Sequence, residues 1–244
     1  MKVIKLGGSL LDDPQRRAEA LGEIAFAWTA GEQIVLVHGG GKHIDARLAQ
    51  LGIPKRTHAG LRVTDDATLD VVVSVLAGTV NKMLVAELTA LGVRSAGFSG
   101  ADASTLVAQP HPSIDGVSLG HVGQVTFSSP LLLQSLLGAG ILPVISSVAQ
   151  GPEGALLNVN ADTAATAIAK GLGAVSLHFI TDVAGLLDAE GKVIAKMTAV
   201  EARAYLHSDF VKGGMKPKLE AALNALDAGV STIAIGGGTE LVAA

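Results

Sequence analysis

The chain has 244 residues, which is long enough for one large α/β domain or two modest lobes around a substantial core. Hydrophobic residues make up 49% and charged residues 16%, a composition that excludes an intrinsically disordered chain. The net charge of −4 argues against nucleic acid as a partner, and the absence of cysteine excludes disulfides, thiolate metal sites and a thiol nucleophile.

Short β-branched runs alternate with helical patterns along the chain, which is typical of parallel βαβ units. The predicted strands cover residues 2–6, 33–37, 93–98, 141–145, 175–180 and 232–235. The predicted helices cover residues 14–30, 43–51, 65–76, 79–91, 130–137, 161–172, 199–206 and 216–228. Pro14 suits a first helical position, and the preceding Asp12 and Asp13 can cap that helix. These elements predict an α/β fold built on one continuous open sheet.

Two kinds of local signal add detail to this pattern. Proline and glycine interrupt residues 99–123, and a glycine-rich turn lies within residues 149–157, so we expect hairpins at both places. Several glycines come just after predicted helix ends, where a left-handed residue is favoured. They are Gly31, Gly52, Gly92, Gly173 and Gly229.

The first residues lead directly into a strand and contain no long apolar segment of the kind found in signal peptides. The uncharged stretch at residues 130–149 holds Gln134, Gly138, Gly140 and Pro143. We interpret it as a short helix, a turn and a buried strand, and we expect no membrane partner. Since cysteine is absent as well, we predict a cytoplasmic protein.

Lysine and glycine gather where predicted strands end. Lys5 closes the first strand just before Gly7 and Gly8, and residues 39–41 after the second strand are all glycine. Glycine lets backbone N–H groups approach an oxyanion, and lysine adds a mobile positive charge. Because ligands of open parallel sheets lie at the carboxyl ends of the strands, these residues predict a site for phosphate or carboxylate oxygens.

Three further positions have both a structural and a functional interpretation. Arg62 could bind a carboxylate through two hydrogen bonds, or it could be an exposed surface residue. Asn160 could simply cap the helix that follows it. Asp162 would favour the helix dipole in any case, but near two lysines it would also hold them in place.

Familiar nucleotide and hydrolase motifs are absent. Gly41-Lys42 is followed by His43, and Leu36 stands where a P-loop needs its first glycine. There is no G-x-G-x-x-G after an early strand, and Ser9, Ser99 and Ser146-Ser147 lack the G-x-S-x-G elbow. The histidines lack the spacing of metal ligands, so we predict no metal site formed by protein side chains.

An ordered set of motifs spans residues 1 to about 235. They are Lys-Leu-Gly-Gly-Ser, His-Gly-Gly-Gly, Gly-Leu-Arg-Val-Thr-Asp, Leu-Ala-Gly-x-x-Asn-Lys, Leu-Gly-His-Val-Gly, Asn-Val-Asn-Ala-Asp and Gly-Gly-Met-x-x-Lys. The set resembles the amino acid kinase family, and within it the members that phosphorylate N-acetyl-L-glutamate for arginine biosynthesis. The resemblance implies a three-layer α/β/α sandwich with a mainly parallel sheet. It also implies transfer of the γ-phosphoryl group of ATP, with Mg²⁺, to the acceptor's side-chain carboxylate.

The same resemblance implies a role for each motif residue. Lys5 and Lys218 would stabilise the phosphoryl group in transfer, and Asp162 would organise both lysines. Gly40, Gly41, Arg62 and Asn158 would bind the acceptor. The residues implied on the nucleotide side are Gly7, Gly8, Thr181, Asp182, Val183, Gly185, Leu186, Leu187, Phe210, Val211, Lys212, Gly213, Gly214 and Met215.

The resemblance also implies a domain organisation. Residues 1–244 would form a single domain, with an acceptor-binding half up to about residue 150 and a nucleotide-binding half after it. Ile235 passes directly to residues 236–242, so a segment that family members usually carry there is shortened. The chain opens on a strand, without the helical extension of arginine-inhibited hexameric relatives, and we therefore expect a homodimer that is insensitive to arginine.

Two other functions stay open from the sequence. The acceptor could be a glutamate or aminoadipate attached to a carrier protein, which would require a basic docking surface. Alternatively, the chain could be a non-catalytic nucleotide or amino-acid sensor derived from the family. The lysines and the aspartate argue against a sensor, whereas the shortened C-terminal segment leaves it open.

Overall fold

A central sheet organises the computed structural model, which describes residues 1–181, 183–208, 211 and 215–243, apart from the side chain of Ser9. Eight strands follow the order β12-β14-β13-β11-β1-β2-β8-β5, and all pairs are parallel except β13 with β14. The strands are β1 Lys2–Leu6, β2 Ile34–His38, β5 Ser95–Ser99, β8 Leu142–Ser146, β11 Ser176–Ile180, β12 Lys196–Thr198, β13 Thr232–Ile235 and β14 Thr239–Val242. The predicted mainly parallel sheet is confirmed.

Helices cover both faces of this sheet and complete the predicted three-layer α/β/α sandwich. They are α1 Gly8–Asp12, α2 Pro14–Thr29, α3 Gly41–Gln50, α4 Asp66–Val73, α5 Asn81–Ala90, α6 Leu131–Gly138, α7 Ala161–Leu172, α8 Ala199–Leu206 and α9 Met215–Asp227. Asp13 caps α2 by accepting hydrogen bonds from the backbone of Gln15 and Arg16. All five glycines predicted to follow helix ends have positive φ angles.

Successive residues of β1 point into two separate cores. Val3 packs in the core that contains α7 and α9, whereas Ile4 and Leu6 pack in the core that contains α2 to α5. This alternation follows from the two-residue repeat of a strand. Lys5 therefore shares the face of Val3 and is directed toward α7.

The two helices predicted at residues 65–76 and 79–91 are wrong as separate elements. They form one continuous helical stretch, in which a π-helical segment, Ser74–Val80, joins α4 to α5. Leu76, Val80 and Leu84 are buried along it, so tertiary packing keeps the chain helical through Gly78. By length and composition alone, Asp66–Ala90 could cross a membrane, but core helices of soluble proteins share these properties.

A second, four-stranded sheet and a short hairpin lie beside the central sheet. The second sheet has the order β10-β9-β6-β7, and its strands are β6 Leu106–Pro110, β7 Gly123–Ser128, β9 Val148–Gln150 and β10 Leu156–Asn158. Strands β3 Thr57–His58 and β4 Leu61–Arg62 form the hairpin. The hairpins expected within residues 99–123 and 149–157 are thereby confirmed in outline, although the first pairs β6 with β7 and extends to Ser128.

The C-terminal strands contain features that the sequence did not predict. Residues 236–238 make a tight turn that brings β14 antiparallel to β13, and β14 in turn pairs with β12. Gly236 has a φ of 61°, and a Cβ atom there would overlap the carbonyl oxygen of Val183. The turn at residues 236–238 thus packs against residues 183–184.

Candidate active site

A cavity of about 440 Å³ opens at the carboxyl ends of β1, β2 and β8. It lies where the glycine clusters predicted a ligand, because the parallel strands end at the same edge of the sheet. Of the predicted site residues, those that line the cavity are Lys5, Gly8, Gly40, Gly41, Arg62, Asn158 and Asp162.

A buried ion pair lies at one end of the cavity. The Lys5 Nζ atom is 2.7 Å from Asp162 Oδ1, and the two residues are 6% and 8% exposed. Lys5 comes from the end of β1, and Asp162 comes from the first turn of α7. A charge this deeply buried is stable only with a partner, so the two groups hold each other at the cavity wall.

The start of α7 fixes the position of Asp162. The Asn160 side chain accepts hydrogen bonds from the backbone N–H groups of Asp162 at 2.8 Å and Thr163 at 3.2 Å. Asn160 is therefore the helix cap, as the structural interpretation of this residue expected. It also lines the cavity, so the positive end of the α7 dipole faces the same space.

The glycine loop after β2, residues 39–41, forms another part of the cavity wall. Gly40 precedes α3, whose N-terminus has no side-chain cap, so backbone N–H groups of its first turn are left for another partner. A Cβ atom on Gly40 would lie 2.8 Å from Leu76 Cδ2 in the π-helical segment. Glycine is required here because the loop packs directly against that segment.

Arg62 enters the cavity from strand β4. Its Nη2 atom lies 2.5 Å from Asp45 Oδ1 and donates a hydrogen bond to the Gly41 carbonyl oxygen at 3.1 Å. Its Nη1 atom is buried and has no hydrogen-bond partner among the described residues. The guanidinium is therefore held through Nη2, while Nη1 is enclosed without a partner in the described part of the chain.

Asp45 connects two cations at this end of the cavity. Lys55 Nζ donates to Asp45 Oδ2 at 2.7 Å, while Arg62 contacts the other carboxylate oxygen. Partial burial raises the pKa of Asp45, but the hydrogen bonds from Lys55 and Arg62 outweigh it, and the net pKa shift is downward. Two positive charges thus face one carboxylate.

Asn158 reaches the cavity from the end of β10. Its Nδ2 atom donates to Thr64 Oγ1 at 3.1 Å, and the Thr64 hydroxyl donates to the carbonyl oxygen of Arg62 at 2.9 Å. The buried Thr64 therefore ties Asn158 to the strand that carries Arg62. The two predicted acceptor ligands belong to one hydrogen-bonded unit.

Lys218 lies in the first turns of α9, is half-buried and is not among the cavity-lining residues. Helices α7 and α9 pack together, with Thr166 Oγ1 donating to the Ala221 carbonyl oxygen at 3.3 Å. Both helices precede neighbouring parallel strands, β11 and β13, so they run in the same direction. Lys218 therefore lies toward the same edge of the sheet as Asp162.

Several predicted nucleotide-side residues lie near the ends of β1 and β11. The Gly7 N–H donates to the Ile180 carbonyl oxygen at 2.9 Å, and Thr181 follows directly. The Leu186 N–H donates to Thr239 Oγ1 at 2.8 Å, and a Cβ on Gly185 would overlap that hydroxyl. The other described positions are the exposed Val183 and Leu187 and the partly buried Val211 and Met215. Asp182, Phe210, Lys212, Gly213 and Gly214 lie outside the described residues.

Sequence reasoning missed several residues around the cavity. Asp45, Lys55 and Thr64 were not predicted, because an isolated charge or hydroxyl in a helix or loop gives no pattern. Asn81 and His38 were quoted only as parts of motifs. The spacing of these residues along the chain does not show that they meet.

Comparison with known proteins decides the family. The profile of the amino acid kinase family matches residues 1–237. The chain belongs to this family. Among its relatives, an acetylglutamate kinase of Solibacter usitatus is 42% identical over 97% of this chain and 90% of its own length. An acetylglutamate kinase of Parvibaculum lavamentivorans is 38% identical over 96% of this chain and 80% of its own.

Solved structures agree with this membership of the amino acid kinase family. The structure of smu.665 from Streptococcus mutans has a TM-score of 0.86 at 30% identity and covers 99% of this chain and 98% of that one. An N-acetylglutamate synthase from Neisseria gonorrhoeae, complexed with coenzyme A and N-acetyl-glutamate, also has a TM-score of 0.86, at 25% identity over 99% of this chain and 59% of that one. Giardia carbamate kinase, at 15% identity and a TM-score of 0.74, shares the fold.

Proposed function

We propose that this amino acid kinase transfers the γ-phosphoryl group of ATP to the side-chain carboxylate of N-acetyl-L-glutamate. The product is N-acetylglutamyl 5-phosphate, an acyl phosphate of arginine biosynthesis. The observation that carries the proposal is one cavity that joins the Lys5–Asp162 pair, the glycine loop and the Arg62–Asn158 unit. The acetylglutamate kinases among its relatives, at 38 to 42% identity over nearly the whole chain, support the same acceptor.

The reaction needs little covalent help from the protein. A carboxylate oxygen attacks the γ-phosphorus, the new P–O bond forms, and the bond to the bridging oxygen breaks with its electron pair leaving on ADP. No general base is required, because a carboxylate is already ionised at neutral pH. The residues of the site contribute by positioning the reactants and neutralising their charge.

Each wall of the cavity has a distinct task in this proposal. Lys5 and Lys218 offset the negative charge on the phosphoryl group in transfer, and Asp162 keeps Lys5 in position. Backbone N–H groups at Gly40 and Gly41 hold the attacking carboxylate. Arg62 and Asn158 bind the α-carboxylate at the far end.

The charges along the cavity support an acceptor with two carboxylates. At one end, Lys5 and Asp162 cancel each other. Lys42, which also lines the cavity, pairs with Asp12, whereas Arg62 and Lys55 share Asp45, so this part of the lining keeps one net positive charge. The unpartnered Arg62 Nη1 atom lies at this positive end, so a second carboxylate is favoured there.

The proposal includes ATP with Mg²⁺. Within the described part of the chain, no three His, Cys, Asp or Glu side chains are grouped as a metal site. In this proposal the Mg²⁺ ion would be held mainly by phosphate oxygens of ATP, where it would neutralise part of their charge. The acceptor would lie with the first half of the chain and the nucleotide with the second, while residues 158–162 serve both.

The test is a hydroxylamine trap for acyl phosphates, run with ATP, Mg²⁺ and a panel of acidic amino acids. Rapid hydroxamate formation with N-acetyl-L-glutamate, and little with glutamate, aspartate or aminoadipate, is expected. Activity only with a carrier-linked glutamate or aminoadipate would move the proposal to that acceptor. No product with any acceptor, together with ATP binding by calorimetry, would identify a sensor and refute the kinase.

The proposal also covers assembly and location. We expect a homodimer in the cytoplasm, with no inhibition by arginine. Light scattering, cell fractionation and assays with added arginine test these three points separately. A monomer or a hexamer in solution would contradict the expected assembly without affecting the proposed reaction.

A further inference from the structure

A buried polar network lies directly behind the glycine loop, and the proposed reaction does not use it. Asn81 and His38 are both fully buried, although they are 43 positions apart in the chain. Asn81 Nδ2 lies 3.1 Å from His38 Nε2, and His38 Nδ1 lies 2.9 Å from the carbonyl oxygen of Gly39. The network thus runs from the long helix, the continuous stretch Asp66–Ala90, to Gly39, the first residue of the glycine loop.

The chemistry of the partners determines where the imidazole carries its proton. The Gly39 oxygen can only accept, so His38 Nδ1 is the protonated nitrogen and donates to it. His38 Nε2 is then the acceptor, which matches the amide nitrogen of Asn81 that faces it. Burial lowers the pKa of His38 to about 4, so the imidazole is neutral at physiological pH.

Asn81 is itself fixed by several neighbours. Its Nδ2 atom also donates to the Val144 carbonyl oxygen at 3.0 Å, and its Oδ1 atom accepts a hydrogen bond from Lys82 Nζ at 3.1 Å. A Cβ atom on Gly97 would overlap Asn81 Oδ1, so the adjacent strand leaves space for this amide. The orientation of Asn81 is therefore set, and with it the tautomer of His38.

The hydrogen bond to Gly39 has a consequence for the next residue. In a trans peptide, the C=O of one residue and the N–H of the next point in opposite directions. With the Gly39 oxygen turned toward the buried His38 ring, the Gly40 N–H is directed away from it. The π-helical segment supports Gly40 from behind, through contact with Leu76.

We propose that His38 and Asn81 are positioning residues that set the orientation of the Gly39–Gly40 peptide, so that its N–H binds the reacting carboxylate. This inference rests on the proposed kinase function, because it concerns the same glycine loop. It assigns the motif Leu-Ala-Gly-x-x-Asn-Lys a task in catalysis that requires no contact with substrate.

A matched pair of variants at one position tests the inference. His38→Asn places an amide N–H near the position of Nδ1 and retains a donor for the Gly39 oxygen. His38→Gln extends its amide toward the position of Nε2 and loses that donor. Both variants remove the ring from the core, so thermal unfolding should show similar losses of stability for the two.

The expected result is a difference in kcat. We expect His38→Asn to stay within about threefold of the wild type and His38→Gln to fall at least about tenfold, because an oxyanion donor is lost from alignment. The KM for ATP should change in neither variant. Equal kcat values in the two folded variants, with an active wild type, would overturn the positioning role and leave the proposed function intact. An inactive wild type would refute both.

A measurement on the wild-type protein covers the case in which the variants do not fold. The ¹⁵N chemical shifts of the His38 ring, assigned through ring-to-backbone correlations, report which nitrogen carries the proton. We expect Nδ1 to be protonated and Nε2 to be bare between pH 6 and 8. The opposite tautomer, or a ring that becomes a cation in that range, would overturn the inference.

Discussion

Removing one member of the Lys5–Asp162 pair should destabilise the protein far more than removing both. In Lys5→Met, Asp162 stays in a site where it is only 8% exposed, and in Asp162→Leu the ammonium of Lys5 stays buried without its partner. The double variant replaces both charges with apolar side chains. It should therefore recover much of the lost stability.

The magnitude follows from the burial of the pair. Breaking a buried ion pair by removing one partner costs about 3–5 kcal/mol, whereas replacing both partners with apolar groups is often close to neutral. For a chain of this size, each 1 kcal/mol shifts the Tm by about 2–4 °C. Each single variant should thus melt about 6–20 °C below the wild type, and the double variant within a few degrees of it.

Differential scanning fluorimetry and the hydroxylamine assay together separate stability from chemistry. Phosphoryl transfer should fall by about 10²-fold or more in all three variants, since none of them retains a charged Lys5 held by its carboxylate. The double variant should therefore be stable but inactive. If the two single variants melt at the wild-type temperature, or if the double variant loses as much stability as the two singles combined, the buried pair does not have the role assigned to it.

Three other predictions test the remaining parts of the site. Arg62→Lys keeps the charge but loses the planar fork, so steady-state kinetics should show the KM for N-acetyl-L-glutamate rising about 10- to 100-fold with the KM for ATP unchanged. The pKa of His38 in the folded protein lies near 4, below its value in the unfolded chain, so the unfolded state binds an extra proton as the pH falls. The free energy of unfolding should therefore fall by on the order of 3 kcal/mol between pH 6.5 and pH 4. Chemical denaturation of His38→Asn should show a smaller dependence on pH. Gly236→Ala should lower the free energy of unfolding by at least about 1 kcal/mol and raise the KM for ATP, because the new Cβ atom would be strained at this positive φ and would overlap the Val183 carbonyl oxygen. Gly237→Ala, where a Cβ atom has open space, should change neither quantity.

The central sheet could be predicted from the sequence because its strands are buried on both faces and appear as short apolar runs. The predicted strand at residues 2–6 agrees with β1, and that at 175–180 differs from β11 by one residue. The short strand β12 and its partner β14 were missed, because three or four residues carry too little pattern. The predicted break near Gly78 failed for another reason, since packing of the long helix outweighs the local preference of one glycine.

The candidate site was only partly predictable. Lys5, the glycine loop and Asp162 could be placed together, because β1, β2 and α7 meet at one edge of a parallel sheet. The partners that orient these groups are not determined by that rule. The distance from Asn81 to His38 depends on how the long helix packs against the sheet, and no local pattern in the sequence encodes it.

The residues of the candidate site come from two different parts of the fold. The groups that would handle the phosphoryl transfer come from the central sheet and its helices, namely β1, the loop after β2 and the start of α7. The groups that would recognise the rest of the acceptor come from the β3–β4 hairpin and from β10 of the second sheet. These peripheral elements contact each other through Thr64, outside the central sheet. We therefore expect that substitutions in the peripheral elements alone would alter the acceptor, while the residues on the central sheet and its helices would keep the phosphoryl transfer.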